Sequence, residues 1–301
     1  MLEARAFEPA FLQKLDGLVL GTRRARTQRA GQRVVGRHQG GGIEPENFRE
    51  YSPGDDLRFL DWNAYARLDD LTIRTFRAER QLEITIMIDA SASMAVPADD
   101  DKLGLALTLG AGLAFIGMNE NDPVRLVAFA GRRAGTRIET TPFRRRRETY
   151  IDFRPFVSTL KSGGETRISD AVGELLQERR APGMVIVISD YLVSPGDYEE
   201  ALGRLLGVGH EVKALHVMGD REATGNYPPG AYRVRDSESG EFRDVVFGPA
   251  AAHACRRRAA DHAERLSAFC TRRGIMYAPA FGVSHLDDIM AREFPRLGVI
   301  N

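Results

Sequence analysis

The sequence predicts an α/β protein built on a doubly wound, mainly parallel sheet, and three observations carry that reading. From residue 82 onward, short apolar runs alternate with longer helical ones, the order expected of strands joined by crossover helices. Ile84-Thr85-Ile86-Met87-Ile88 and Val185-Ile186-Val187-Ile188 are continuous and rich in β-branched residues, as strands are when both sheet faces are covered. Val124–Phe129, Val212–Val217 and Ile275–Ala280 are further strands, and Leu103–Asn119, Ser169–Arg179, Asp197–Leu206 and Ala250–Arg273 are the helices between them.

The first eighty residues read differently. Phe11, Leu12, Leu15, Leu18 and Val19 recur at helical spacing, so a short amphipathic helix opens the chain. From Gly17 to Ile43 there is no acidic residue, while Arg23, Arg24, Arg26, Arg29, Arg33 and Arg37 all fall there. Gly40-Gly41-Gly42 reads as a loop or a close backbone approach. Tyr51-Ser52-Pro53-Gly54-Asp55-Asp56 is turn chemistry, and Leu71–Phe76 alternates like a strand. The division expected is a segment 1–79 (short helix, basic arm, turn-rich block, strand) folded against a single α/β domain 80–301. Within that domain, Tyr232–Arg235 and Phe242–Phe247 flank a polar turn, a β-hairpin inserted over about 220–248.

A formal net charge of zero gives no global reason to expect nucleic acid, an acidic polymer or a membrane as partner. Met1–Ala10 carries Glu3, Arg5 and Glu8, unlike a secretory signal. Leu103–Asn119 is uncharged but short of the ~20 apolar residues of a membrane span, so it reads as a buried core helix. Cys255 and Cys270 fall in one helical stretch, roughly 22 Å apart along the axis, too far to bridge. Reduced thiols and a cytoplasmic location are expected. The six histidines show no metal-ligand spacing.

Chemistry concentrates in Ile88-Asp89-Ala90-Ser91-Ala92-Ser93-Met94, where the first sheet strand ends. In open α/β sheets ligands bind at that carboxyl edge. Asp89, Ser91 and Ser93 alternate, so one carboxylate and two hydroxyls can converge from a tight loop as hard oxygen donors suited to Mg²⁺. A turn cap accounts for the same pattern. Gly163-Gly164-Glu165-Thr166 offers a third hydroxyl, and Ser189-Asp190, ending a second strand, offers another carboxylate. Their plain alternatives are a helix cap at Thr166 or Ser169 and a turn at Asp190.

This arrangement resembles the metal-ion-dependent adhesion site of von Willebrand factor A domains, which are Rossmann-like. Asp89, Ser91, Ser93, Thr166 and Asp190 match its Asp-x-Ser-x-Ser, Thr and Asp in order. The resemblance implies one divalent cation, Mg²⁺ first and Mn²⁺ or Ca²⁺ next, whose open position is filled by an acidic side chain of a partner. Arg49-Glu50-Tyr51-Ser52-Pro53-Gly54-Asp55-Asp56, Arg58, Asp61-Trp62, Ala66-Arg67, Arg74-Thr75-Phe76 and Glu79-Arg80 narrow the match. This block is similar to the hallmark of a bacterial family of unknown function, DUF58, over about residues 30–300. The resemblance implies work beside a MoxR-type AAA+ ATPase in protein maturation. Where related sequences often carry an acidic residue after the Thr, Arg167 stands here. Arg167 either weakens the metal or grips a partner's carboxylate, and Glu165 can compensate.

The expected function is therefore a non-enzymatic, metal-dependent protein-binding adaptor, with Arg167, Glu165, Arg58, Asp61 and Arg67 as partner-facing candidates. Against that stands an internal network of turns and ion pairs for the Asp55–Arg67 block, with the lone Trp62 in or near the core. An alternative from another class is a nucleic-acid or surface-binding module led by the arginine-rich arm, but no aromatic residue interleaves it for base stacking. No Gly-x-x-x-x-Gly-Lys-[Ser/Thr] and no Gly-x-Ser-x-Gly occurs. A Mg²⁺-dependent phosphatase using Asp89 as nucleophile would want a second carboxylate where Ser91 stands.

Overall fold

A computed structural model describes residues 2–22, 47–53, 57, 60–68, 70–75, 82–132, 135–165, 167–235, 241–282 and 285–301. The chain forms two compact units, one of residues 1–23 with 82–301 and one of residues 24–81. In the larger unit a 3₁₀ turn, Leu2–Phe7, leads into α1, Pro9–Leu15. The smaller unit holds β1 (Asn47–Glu50), α2 (Trp62–Leu68) and β2 (Thr72–Thr75), with β1 and β2 paired antiparallel.

Back in the larger unit, β3 (Ile84–Asp89) and α3 (Lys102–Asn119) open the sheet-and-helix alternation. Then come β4 (Val124–Arg132), β5 (Gly135–Thr140), α4 (Arg154–Thr159) and α5 (Ile168–Gln177). After β6 (Met184–Ser189) follow α6 (Pro195–Gly207), β7 (Glu211–Met218) and the short α7 (Asp220–Thr224). The hairpin β8 (Gly230–Arg235) and β9 (Phe242–Phe247) precedes the long α8 (Pro249–Arg273) and the last strand, β10 (Met276–Phe281).

The strands line up in the order β10-β7-β6-β3-β4-β5. All neighbours run parallel except β5, which pairs antiparallel with β4 at the edge. The chain passes from β3 to β4 on one side and then recrosses to β6 on the other. The carboxyl ends of β3 and β6 therefore flank the point where strand order reverses, the crevice that such sheets use for ligands. The expected doubly wound, mainly parallel sheet is what the chain forms. The inserted hairpin is also present, as a separate two-stranded sheet with Gly230 opposite Phe247. β5 was not legible, since Gly135-Thr136-Arg137-Ile138-Glu139-Thr140 is too polar to read as a strand.

Each face of the sheet carries its own core. Ile84, Ile86, Ile88, Ile186 and Ile188 pack against α3, while Met87, Val127, Val185 and Val187 pack against α5, α6 and the end of α8. Gly104 to Met118 of α3 are all buried, which is why this helix shows no polar face. By length and composition α3 is apolar enough to cross a membrane, but here it lies inside the protein core. Its outer side is covered by Ala6, Phe11 and Leu15 and by Leu286, Met290 and Phe294 near the end of the chain.

That cover corrects the expected division of the chain. The opening helix does not belong with the segment up to residue 79; it is part of the larger unit, because α3 would otherwise present apolar side chains to water. Asn119 fixes it by donating from Nδ2 to the carbonyls of Leu15 and Leu18, both at 3.2 Å. Val19 and Asn301 exchange backbone hydrogen bonds at 3.1 and 2.8 Å, and Gly21 donates to Val299 at 3.0 Å.

In the smaller unit Asp61 accepts from the Asn63 and Ala64 amides at 3.0 and 3.2 Å, capping α2. Trp62 is 62% exposed and meets Tyr65 edge-on, which corrects its expected place in or near the core. It follows Asp61 at the start of a two-turn helix whose neighbouring residues Asn63, Tyr65, Ala66 and Arg67 are also exposed. Arg67 is exposed. The basic arm 23–37, Gly40–Gly42, Asp55, Asp56 and Arg58 lie outside the described residues.

Candidate functional site

Three chain segments meet at the crevice. The first is the loop after β3. Asp89 ends the strand and is buried, and its Oδ1 accepts the Ser91 amide at 2.9 Å. That short bond folds the loop back, so Ser91 Oγ and Ser93 Oγ come to 2.9 Å of each other. Both serines are buried as well.

The second segment is the glycine loop before α5. Gly163 donates to the Ala90 carbonyl at 2.8 Å and Ala92 donates to the Gly164 carbonyl at 3.0 Å. Gly164 sits at φ +75° against the Gly131 backbone, and the Glu165 backbone crowds Gly131, so that no Cβ fits at either glycine. Glu165 and Arg167 beside it are exposed, and Thr166 lies outside the described residues. Ser169 does not cap α5 itself but is held by another helix. Asp197, from the first turn of α6, accepts the Ile168 amide at 2.7 Å and the Ser169 hydroxyl.

The third segment follows β6. Ser189 donates from Oγ to Asp89 Oδ2 at 2.6 Å. Tyr191 then turns the chain in the left-handed region at φ 53°, held by its hydroxyl on the Val187 carbonyl at 3.0 Å. Such a conformation costs a non-glycine residue on the order of 1–3 kcal/mol and clusters at functional sites. The turn leaves Asp190 at the sheet edge, its Oδ1 accepting the Leu192 amide at 3.1 Å.

Sequence reasoning missed the charged group that dominates this site. Lys102, the first residue of α3, is 0% exposed in its side chain and reaches Asp190 Oδ2 at 2.9 Å and Glu222 at 3.0 Å. Asp101, in the left-handed region at φ 39°, caps α3 through the Gly104 amide and turns Lys102 inward. Burial alone would lower the Lys102 ammonium, but Asp190 and Glu222 together hold it above its ordinary range. Asp89 behaves in the opposite way: burial, then the neighbouring Asp190 charge, pushes its carboxyl up to about 7. Beside Asp190 a cleft of about 220 Å³ opens between Leu192, Met218, Glu222, Arg258 and His262.

The donors fit a small divalent cation in part. Two facing hydroxyls beside two carboxylates are hard oxygen ligands of the kind Mg²⁺ takes. Among the described residues no three His, Cys, Asp or Glu side chains converge, so the fit rests on the serines. Asp190 is already paired with a cation of the chain itself. Of the residues singled out in the sequence, Asp89, Ser91, Ser93 and Asp190 are placed at this crevice, while Arg167 and Glu165 stand exposed on the adjoining loop.

Comparison with known proteins places the chain among uncharacterized relatives. The uncharacterized protein Rv1480 of Mycobacterium tuberculosis is 31% identical over 261 residues, covering 86% of this chain and 77% of the relative. The uncharacterized protein Mb1516 of Mycobacterium bovis matches to the same extent. Among solved structures, a conserved hypothetical protein BatB from Bacteroides thetaiotaomicron aligns at 17% identity and TM-score 0.40, covering 72% of this chain and 98% of that one. An aerotolerance-related membrane protein from Bacteroides fragilis aligns at 18% identity and TM-score 0.40, over 71% and 99%. The family described as protein of unknown function DUF58 matches residues 47–266, and with that span and these relatives the chain belongs to the DUF58 family.

Proposed function

We propose that the protein is a non-enzymatic adaptor that binds other proteins through a divalent metal held in a von Willebrand A-like site. The observation that carries this reading is the Ser91–Ser93 hydroxyl pair, 2.9 Å apart beside the buried Asp89 at the strand-order reversal. Ser91 and Ser93 are the direct ligands in this reading, with Thr166 as a third hydroxyl and Asp89 and Asp190 acting directly or through water. Mg²⁺ is the first candidate, since hard oxygen donors with retained water are its usual environment. When bound, the metal would supply a Lewis-acid position for a carboxylate of the partner, and Ser91 and Ser93 would help to hold it. Serine hydroxyls supply no acid or base near neutral pH, which favours binding over phosphoryl chemistry. The family resemblance points to a MoxR-type AAA+ ATPase or its client as the partner, in the cytoplasm.

The test is a pull-down of the purified ATPase and of host lysate with wild type and Asp89→Ala, each with Mg²⁺ and with a chelator. Capture that needs both Asp89 and the metal supports the reading. Equal recovery of the ATPase in all four samples sinks it.

A further inference from the structure

The buried ammonium of Lys102 has no place in a simple metal site. Its Nζ lies 2.9 Å from Asp190 Oδ2 and 3.0 Å from Glu222, and the side chain is 0% exposed. A cation fixed at that position already engages the carboxylate that Asp190 would offer to a metal at the crevice. Glu222 sits on α7, which leads into the β8–β9 hairpin, so the ammonium bridges the crevice and the inserted segment. Asp100 strengthens the same junction by accepting the Arg221 amide at 3.0 Å, which fixes α7 close to the start of α3.

We infer that Lys102 is a tethered counter-ion that competes with the divalent metal for Asp190, and that Glu222 moderates this competition by drawing the ammonium away. The inference rests on the metal-site reading above and adds its regulation. Two like charges confined in a medium of low dielectric repel strongly, so metal entry requires Lys102 to yield Asp190. When it yields, Glu222 is the carboxylate that receives it. The two residues therefore act with opposite sign on metal affinity. A purely structural role predicts otherwise: removing either residue would loosen the site and weaken binding.

The experiment is calorimetric titration of MgCl₂ and MnCl₂ into the full chain as wild type, Lys102→Met and Glu222→Gln. Lys102→Met should bind the metal at least about tenfold more tightly, because Asp190 is then free and the site carries one more net negative charge. Glu222→Gln, on a partly exposed side chain, should bind about threefold more weakly, because the ammonium is left wholly to Asp190. Thermal melting adds a second reading: Mg²⁺ should raise the midpoint of Lys102→Met more than that of wild type. Equal or weaker binding by folded Lys102→Met overturns the inference while leaving the metal site standing. If Lys102→Met does not fold, unweakened binding by Glu222→Gln overturns it alone. Absence of binding in all three folded proteins removes the metal reading and this inference with it.

Discussion

Ser189 Oγ lies 2.6 Å from Asp89 Oδ2 and at the same time accepts the Tyr191 amide at 2.8 Å. One hydroxyl thus ties the ends of two adjacent strands and the turn that presents Asp190. In Ser189→Ala both Asp89 and the Tyr191 amide lose this partner inside the protein. Asp89 keeps the Ser91 amide, so the main loss is the acceptor of the buried Tyr191 amide; this costs about 1–3 kcal/mol, and urea denaturation should show a lower midpoint with an unchanged slope.

Gly131 and Gly164 make a second test. Because the backbone of Glu165 occupies the space a Cβ would need at residue 131, Gly131→Ala must push the glycine loop off the sheet edge. Overpacking of this kind costs roughly 1–3 kcal/mol. Faster hydrogen exchange at the Gly163 and Ala92 amides, which bond across this junction, would locate the damage; an unchanged pattern would contradict the close approach.

Phe11→Ala tests whether the opening helix belongs to the core. Phe11 is 3% exposed and lies against α3. Truncating a buried phenylalanine costs about 3–5 kcal/mol, whereas on a loosely attached arm the loss would be within about 0.5 kcal/mol. Thermal or urea unfolding distinguishes the two.

At the opposite edge of the sheet Glu178 receives Arg125 Nη1 at 2.8 Å and Arg180 Nε at 2.8 Å. Burial would raise the Glu178 carboxyl, but these two guanidinium groups hold it below its ordinary value. A folded-state pKa below the unfolded one means that the contribution is present above about pH 4.5 and is lost as pH falls through the folded value. Glu178→Gln should therefore be less stable than wild type at pH 7, by up to ~1 kcal/mol after discounting for its exposure, and the gap should narrow as pH falls through the lowered folded value. A gap that stays constant with pH would show that packing, not charge, is responsible.

The parts of the site that could be read from the sequence are those whose meaning is local. Asp89, Ser91 and Ser93 alternate over five residues at the end of an apolar strand, and the loop geometry follows from that spacing. Lys102 carried no such signal. It is one of several charges in Asp99-Asp100-Asp101-Lys102, and its partners stand 88 and 120 residues away. Asp197 was hidden in the same way, since it caps a helix from another helix. Strand and helix order was legible because apolar period and length decide it. The placement of the opening helix was not, because amphipathicity tells that a face is buried but not which surface receives it. Trp62 misled for a related reason: size and apolarity argue for burial, yet it stands on a short helix whose described residues are mostly exposed.

The bridge between Leu20 and Ile300 joins residues 280 positions apart. A ribosome adds residues at roughly 5–20 per second, so the first strand-like contact of the chain waits on the order of tens of seconds for its mate. During that interval α3 exists with one flank unsealed, its apolar surface open to whatever the nascent chain meets. Contacts of such long range make folding slow. Closure of this flank of the larger unit thus waits for the segment around Ile300, and any chaperone assistance that α3 needs falls in that window.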